Sequence, residues 1–176
     1  MRYLIVCGGK IDKEFGLNEI KTDGIDVIIA ADSGMDFLYE NGVTPDIIVG
    51  DFDSATTKAL EFFERKGQTE IHRLNPVKDD TDTEYAIRLA IKHGARSIVV
   101  IGATGSRIDH VLGNISLLGI GLESGIDIRI IDANNRIRMA DKPVTIEKSS
   151  QYGRFVSLIA VTDDNEVSLK GFKYPV

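Results

Sequence analysis

The sequence is poor in the residues that mark several common protein classes: one cysteine, four prolines, three histidines and no tryptophan in 176 residues. One cysteine excludes a disulfide within the chain, and Cys7 sits in the apolar run Tyr3 to Cys7, where a packed thiol in a reducing cytoplasm is the expected role. His72, His93 and His110 lack the spacing of a zinc site. Long apolar runs are missing too. The opening run is too short for a signal-peptide core and is followed by Gly8, Gly9 and Lys10, and no other stretch nears the roughly 18 apolar residues of a membrane span. Neither a targeting segment nor a membrane anchor is expected. Basic runs and aromatic-basic clusters are absent, and the formal charge is −6, which argues against nucleic-acid binding. A phosphorylated ligand would therefore need a cation to mediate its binding.

What is present suffices for a packed core: 43% of the residues are hydrophobic, enough for one domain or two small ones. From Arg2 to Asp132 short β-branched runs alternate with amphipathic stretches, the pattern of strand-helix-strand units. Strands are expected at Arg2 to Cys7, Val27 to Ala31, Ile47 to Val49, Glu70 to Arg73, Ser97 to Ile101 and Ile126 to Ile131. The segments "SGMDFLYENG", "TKALEFFERKG" and "TDTEYAIRLAIKHG" read as helices ending at Gly42, Gly67 and Gly94, and Thr81 with Glu84 forms a capping-box signature. The fold class expected is α/β: a Rossmann-like, mainly parallel sheet with helices over residues 1–133. After Asn134 and Asn135 the texture changes to alternating segments, "VTIEK", "RFVSLIAV" and "EVSLKGF". A second, antiparallel β unit is expected over 134–176, and it stops in strand-like sequence, so the chain is expected to be incomplete there.

The segment "IIVGDFDSATT", residues 47 to 57, is the most specific one. On an extended backbone Asp51 and Asp53 project to one side and Phe52 to the other. Two carboxylates about 5 Å apart repel by about 3 kcal/mol at an effective dielectric near 20, so a shared proton, a basic side chain or a divalent cation is required. Further acids follow other strands: Asp32 in "ADSG", and Asp79, Asp80 and Asp82 in "NPVKDDTD". Open α/β sheets bind ligands outside the carboxyl ends of their strands, so these acids would share one crevice. That much negative charge points to Mg²⁺, which takes hard oxygen ligands and leaves positions free for phosphate oxygens. Asp82 also suits a plain role at the positive start of its helix. After the fifth strand, "GATGSR" can bring backbone N–H groups to phosphate at a helix start, although it lacks the lysine of a P-loop. Asp109 beside His110 suits acid-base chemistry, and an Arg107 to Asp109 ion pair that fixes the loop suits the sequence equally well.

Taken in order, "AADSGMDFL", "PDIIVGDFDS", "KDDTDTEYAI", "GATGSRIDHVLGN", "DANNRI" and "RFVSLIAV" resemble the thiamin pyrophosphokinase family. The resemblance implies pyrophosphoryl transfer from ATP to the thiamin hydroxyl with Mg²⁺, giving thiamin diphosphate and AMP. It also implies an α/β domain followed by a C-terminal β-sandwich that carries thiamin-binding and dimer contacts, in a homodimer. Carried over by position, it makes Asp51, Asp53 and Asp79 metal ligands, with Lys78 and Asp82 beside them. Thr104, Gly105, Ser106 and Arg107 would line the ATP phosphates, Asp109 would orient that loop or contact the nucleotide, and Asp32 would stand at the cleft mouth. Ser106 replaces a glycine usual in the family, and the family's segment past "GFKYPV" is absent. The rival readings are an aspartyl-phosphate phosphatase with Asp51 as nucleophile, and a nucleotide- or thiamin-binding module without turnover.

Overall fold

Alternating apolar residues on five central strands place side chains on both faces of one sheet, and helices cover each face. The computed structural model describes residues 1–53, 55–75, 80–105 and 107–173. The strands are β1 (Arg2–Val6), β2 (Val27–Ala31), β3 (Ile47–Gly50), β4 (Glu70–Arg73), β5 (Ser97–Ile101), β6 (Asp127–Ile131) and β7 (Arg136–Arg138). The helices are α1 (Lys13–Ile20), α2 (Gly34–Glu40), α3 (Thr57–Lys66), α4 (Asp82–Lys92), α5 (Ile108–Ser116) and α6 (Leu118–Ser124). Sheet order is β4-β3-β2-β1-β5-β6-β7, parallel except for β7, which runs antiparallel to β6. The order reverses between β1 and β5, so the switch-point crevice opens there.

One face buries Tyr3, Ile5, Ile29, Val49, Ile98 and Val100 under α4 and α6. The other buries Leu4, Val6, Ile48, Val99 and Ile101 with Met35 and Leu38 of α2 and Phe63 of α3. Continuous apolar strands are what a sheet covered on both sides requires. Cys7 belongs to the first cluster, and burial pushes its thiol up to about 11, with Thr83 Oγ1 3.4 Å from its sulfur. It is a packing group, neutral and inert near pH 7.

The caps follow the sequence closely. α3 ends on Gly67 and α4 runs into Gly94, both in the left-handed region. Thr81 accepts from the Glu84 N–H at 3.1 Å, but the reciprocal half of the capping box is not made, because Glu84 pairs with Arg88 one turn on. α1 was not among the helices expected, since Gly16 at its centre lowers helical propensity. That glycine is needed for packing: a Cβ there would lie 2.6 Å from both Ile11 and Phe37.

The C-terminal expectation departs most from the structure. Arg136–Arg138, placed by sequence beyond the end of the first unit, pairs with β6 and extends the first sheet. Among the described residues from 139 to 173 there is one 3-10 turn, Lys148–Ser150, and no strand. "VTIEK", "RFVSLIAV" and "EVSLKGF" thus lie outside any ladder, with Phe155 82% and Ile159 85% exposed. An alternating strand gains little until a second layer covers its apolar face. No helix among the described residues is long and apolar enough to cross a membrane.

Close approach of α2 to β1 gives a stability test. A Cβ on Gly34 would sit 1.9 Å from the Val6 carbonyl oxygen, whereas one on Gly42 (φ +68°) meets nothing within 4 Å. Gly34→Ala is expected to destabilise by about 3 kcal/mol, and Gly42→Ala by about 1 kcal/mol, from backbone strain alone. Urea unfolding of the two variants checks the order, and equal losses would contradict the packing described.

Candidate active site

The carboxyl ends of β2 and β3 carry three acids that the fold brings together. One oxygen each of Asp32, Asp51 and Asp53 lie within 4.8 Å of one another. Asp32 and Asp51 are half-buried and Asp53 is exposed. At an effective dielectric of about 20 the Asp32–Asp51 pair repels by about 3 kcal/mol, and pairs involving Asp53 by less because water screens them. Among the described residues neither Asp51 nor Asp53 forms an ion pair with lysine or arginine.

The local backbone differs from the extended segment that the sequence suggested. The strand stops at Gly50, and Phe52 adopts φ +65°, so the two acids meet across a tight turn instead of by strand alternation. The Asp53 N–H donates to Asp51 Oδ1 at 3.2 Å inside that turn. Asp32, immediately after β2, also has positive φ, at 47°. Among the described residues these are the two non-glycine positions with positive φ, and a bulky residue there carries strain that the surroundings must hold. Gly50 leaves room for this: a Cβ would crowd the Asp32 Cα and the Phe52 ring at 3.1 Å. The Arg73 guanidinium lies 5.4 Å from the centre of the Phe52 ring and braces its other side.

Asp36 of α2 holds the far end of the acid loop, a role the sequence reading missed. Its carboxylate accepts the Thr56 N–H at 3.1 and 3.2 Å and the Thr56 hydroxyl as well. Thr56 is the residue that starts α3, so this contact ties α2, the acid loop and α3 together. Asp36 was readable only as one more surface acid, because its partner is twenty residues away in sequence.

Across the switch point the "GATGSR" loop is anchored at several atoms. The Gly9 N–H donates to the Gly102 carbonyl at 2.9 Å, and Asn114 Nδ2 donates to the Ala103 carbonyl at 2.9 Å. Thr104, expected on phosphate, turns its hydroxyl to Asp132 Oδ2 at 2.8 Å. Burial would raise the Asp132 carboxyl, but donors from Asn134, Asn135 and Thr104 outweigh it and hold it below its ordinary range. Gly105 is exposed beside Gly9, where a Cβ would lie 3.8 Å from the Gly9 Cα. Arg107 and Asp109 form a forked ion pair at 2.6 and 3.3 Å, which holds the Asp109 carboxyl low. The ion-pair reading of that loop is therefore the one the structure displays, and both side chains are exposed. Gly8 and Gly9, given no role from sequence, stand at the switch point; applying the carboxyl-end rule to the first strand would have found them. Asp82 begins α4 as an acid in its first turn. Lys78, Asp79 and Ser106 lie outside the described residues.

The donor set fits a hard cation. Three carboxylate oxygens within 4.8 Å of one another leave a point about 2.8 Å or less from each, and small rotations bring that to the roughly 2.1 Å of Mg²⁺–oxygen bonds.

The family model for the thiamin pyrophosphokinase catalytic domain matches residues 21–130, which span β2 through most of β6 and hold the acid cluster. The chain belongs to the thiamin pyrophosphokinase family. A Bacillus subtilis thiamine pyrophosphokinase is 36% identical over 156 residues, 88% of this chain and 72% of that protein. The crystal structure of a B. subtilis thiamine pyrophosphokinase aligns with TM-score 0.68 at 32% identity, over 78% of this chain and 64% of that one. A thiamin pyrophosphokinase family protein from Enterococcus faecalis aligns with TM-score 0.62 at 32% identity, over the same shares. The chain thus spans about two thirds of the length of these relatives.

The Asp36 contact yields a test of loop anchoring. Asp36→Ala is expected to lower stability by about 1 kcal/mol and to speed hydrogen exchange at the Thr56 amide, read by NMR. Unchanged exchange at Thr56 would show that Asp36 does not hold the loop.

Proposed function

We propose that this chain is a thiamin diphosphokinase, transferring the pyrophosphoryl group of ATP to the hydroxyl of thiamin with release of AMP. The observation that carries the reading is the convergence of Asp32, Asp51 and Asp53 at the carboxyl ends of β2 and β3, in a chain of this family. We assign Asp51, Asp53 and Asp79 to Mg²⁺, and propose Asp32, whose carboxylate lies beside those of Asp51 and Asp53, as a further ligand. When bound, the ion would neutralise phosphate oxygens and the charge that develops in transfer.

The chain's own residues supply position. Gly105, Ser106 and Arg107, with Thr104 behind them as the anchor to Asp132, would receive the nucleotide's phosphates on the other side of the switch point. Lys78 and Asp82 are proposed beside the metal, and Asp109 as the residue that orients Arg107. The loops after β2 and β3 stand two and three strand spacings from the loop after β5, about 10 to 15 Å, so an extended nucleotide would lie across β1. The backbone there is closely packed: a Cβ on Gly8 would meet Ser33 Oγ at 1.9 Å, and one on Gly9 the Gly102 carbonyl oxygen at 2.3 Å. In the reaction the thiamin hydroxyl oxygen bonds to the β-phosphorus, the bond from that phosphorus to the oxygen of the α-phosphate breaks, and AMP leaves. A carboxylate of the cluster, Asp32 foremost, accepts the hydroxyl proton.

The C-terminal residues 134–176 are proposed to contribute to a β-sandwich with thiamin-binding and dimer contacts, in a cytoplasmic homodimer. The exposed apolar run around Phe155 and Ile159 supports this, because such side chains gain most when a second layer covers them. The buried reduced thiol of Cys7 accords with the cytoplasm.

Incubation with ATP, Mg²⁺ and thiamin is expected to give AMP and thiamin diphosphate in equal amounts, with neither formed without Mg²⁺. Asp51→Asn or Asp53→Asn is expected to lower the rate about 100-fold or more while the unfolding midpoint stays near that of the parent chain. Full activity in either variant removes that residue from the mechanism. Trapping of a phosphorylated Asp51 would favour the phosphatase reading instead.

A further inference from the structure

The amino ends of the strands, opposite the acid cluster, carry a feature that the transfer reaction does not use. A pocket of about 210 Å³ opens over β1, β5 and β6, lined by Arg2, Ser97, Ile98, Val99, Asp127 and Arg129. Register puts Arg2, Ser97 and Asp127 in one row on a single face of the sheet. Val99, Arg129 and Arg138 form the next row on that face. Two guanidiniums, of Arg2 and Arg129, and one carboxylate, of Asp127, therefore line the pocket.

Two of these donor groups lack an acceptor among the described residues. Asp127 accepts from Arg129 Nη2 at 2.5 Å, and Arg138 Nη2 lies 3.7 Å from its other oxygen. Among the described residues the Arg2 side chain has no ion-pair or hydrogen-bond partner; only its backbone N–H bonds, to Asp26 at 2.7 Å. Arg129 adds a second sign: its Nε is buried and has no acceptor. A buried N–H donor without a partner is rare in folded proteins and marks a place where an acceptor is missing. Another nitrogen of that guanidinium already pairs with Asp127, and the Arg2 guanidinium lines the same pocket, so an anion would satisfy both donors.

We propose that this pocket is a second ligand site, which takes a small phosphate-class oxyanion. Arg2, Arg129 and the Ser97 hydroxyl, from three adjacent strands, supply its donors, and Asp127 holds the Arg129 fork in place. The volume sets the size of the ligand. It falls below the roughly 300 Å³ at which sites for drug-sized molecules begin, a size that suits inorganic phosphate or pyrophosphate. The site is independent of the proposed transferase centre, because a five-residue strand separates the two ends of the sheet by about 16 Å.

The test is a titration of the chain with inorganic phosphate at constant ionic strength, followed by amide NMR, with pyrophosphate and acetate as parallel arms. Saturable shifts at residues 2, 97 to 99 and 127 to 129, with a dissociation constant of about 1 mM and unaffected by added ATP, are expected. Tighter pyrophosphate binding would identify the diphosphate as the preferred source of the anion, and tighter phosphate binding the monophosphate. Arg129→Gln and Arg2→Gln are expected to weaken binding by about tenfold or more. The Arg2 variant keeps the test valid if loss of Arg129 disturbs the sheet, since the Arg2 side chain holds nothing else in place. The proposal is overturned if shifts are confined to the loop at 102–109, if acetate reproduces them equally, or if Arg2→Gln binds phosphate as the parent does. It is equally overturned if no saturable binding occurs.

Discussion

Mutual repulsion among three carboxylates is the constraint around which this molecule is arranged. Asp32, Asp51 and Asp53 gain nothing from one another, and each would be better solvated apart. They are held together by features that lie elsewhere: left-handed backbone at Asp32 and Phe52, a glycine at position 50 that makes room, and the Asp36 carboxylate gripping Thr56 at the end of the loop. Each feature opposes relaxation of the cluster. Three oxygens held this close suit a hard cation, which is why the geometry carries more weight than the count of acids.

The sheet explains how the rest of the crevice is assembled. Parallel pairing of β1 with both β2 and β5 creates the reversal, and glycines at 8, 9 and 102 let the backbone segments beside it pack closely. The loop after β5 is fastened from three directions, by Gly9, Asn114 and Asp132, so its backbone is set before any ligand arrives. Charges of both signs stand at the amino ends of the strands, where Arg2, Asp26, Asp46 and Asp127 lie, whereas Asp32, Asp51 and Asp53 gather at the carboxyl ends of β2 and β3.

Much of this was legible in the sequence, for reasons that differ by element. The inner parallel strands were readable because strands buried on both faces are continuous β-branched runs bounded by turn residues, whereas the edge strand β4, "EIHR", is exposed at both ends. The glycine stops of α2, α3 and α4 were readable because the left-handed region admits few other residues. α1 was obscured by Gly16, whose role is close contact with Phe37 on another helix. β7 was obscured because three residues, "RIR", carry no periodicity, and only the ladder with β6 defines them. At the site, Asp32, Asp51 and Asp53 were named from their positions after strands, but by an extended-chain argument that the turn at Phe52 replaces. Asp36 and Asp132 were not legible as loop anchors, since the residues they hold there, Thr56 and Thr104, are twenty or more residues distant. The antiparallel texture after Asn134 is plain in the sequence, whereas a sandwich is a property of two layers and cannot be read from the strands of one.

The most direct measurement is a crystal structure of the chain grown with Mn²⁺ and a non-hydrolysable ATP analogue, with anomalous scattering used to locate the ion. The account predicts an anomalous peak about 2.2 Å from oxygens of Asp51 and Asp53, within reach of Asp32, and bridged to the analogue's phosphates. A nucleotide bound with no ion at these acids, or an ion held elsewhere while Asp51 and Asp53 point into solvent, would contradict it.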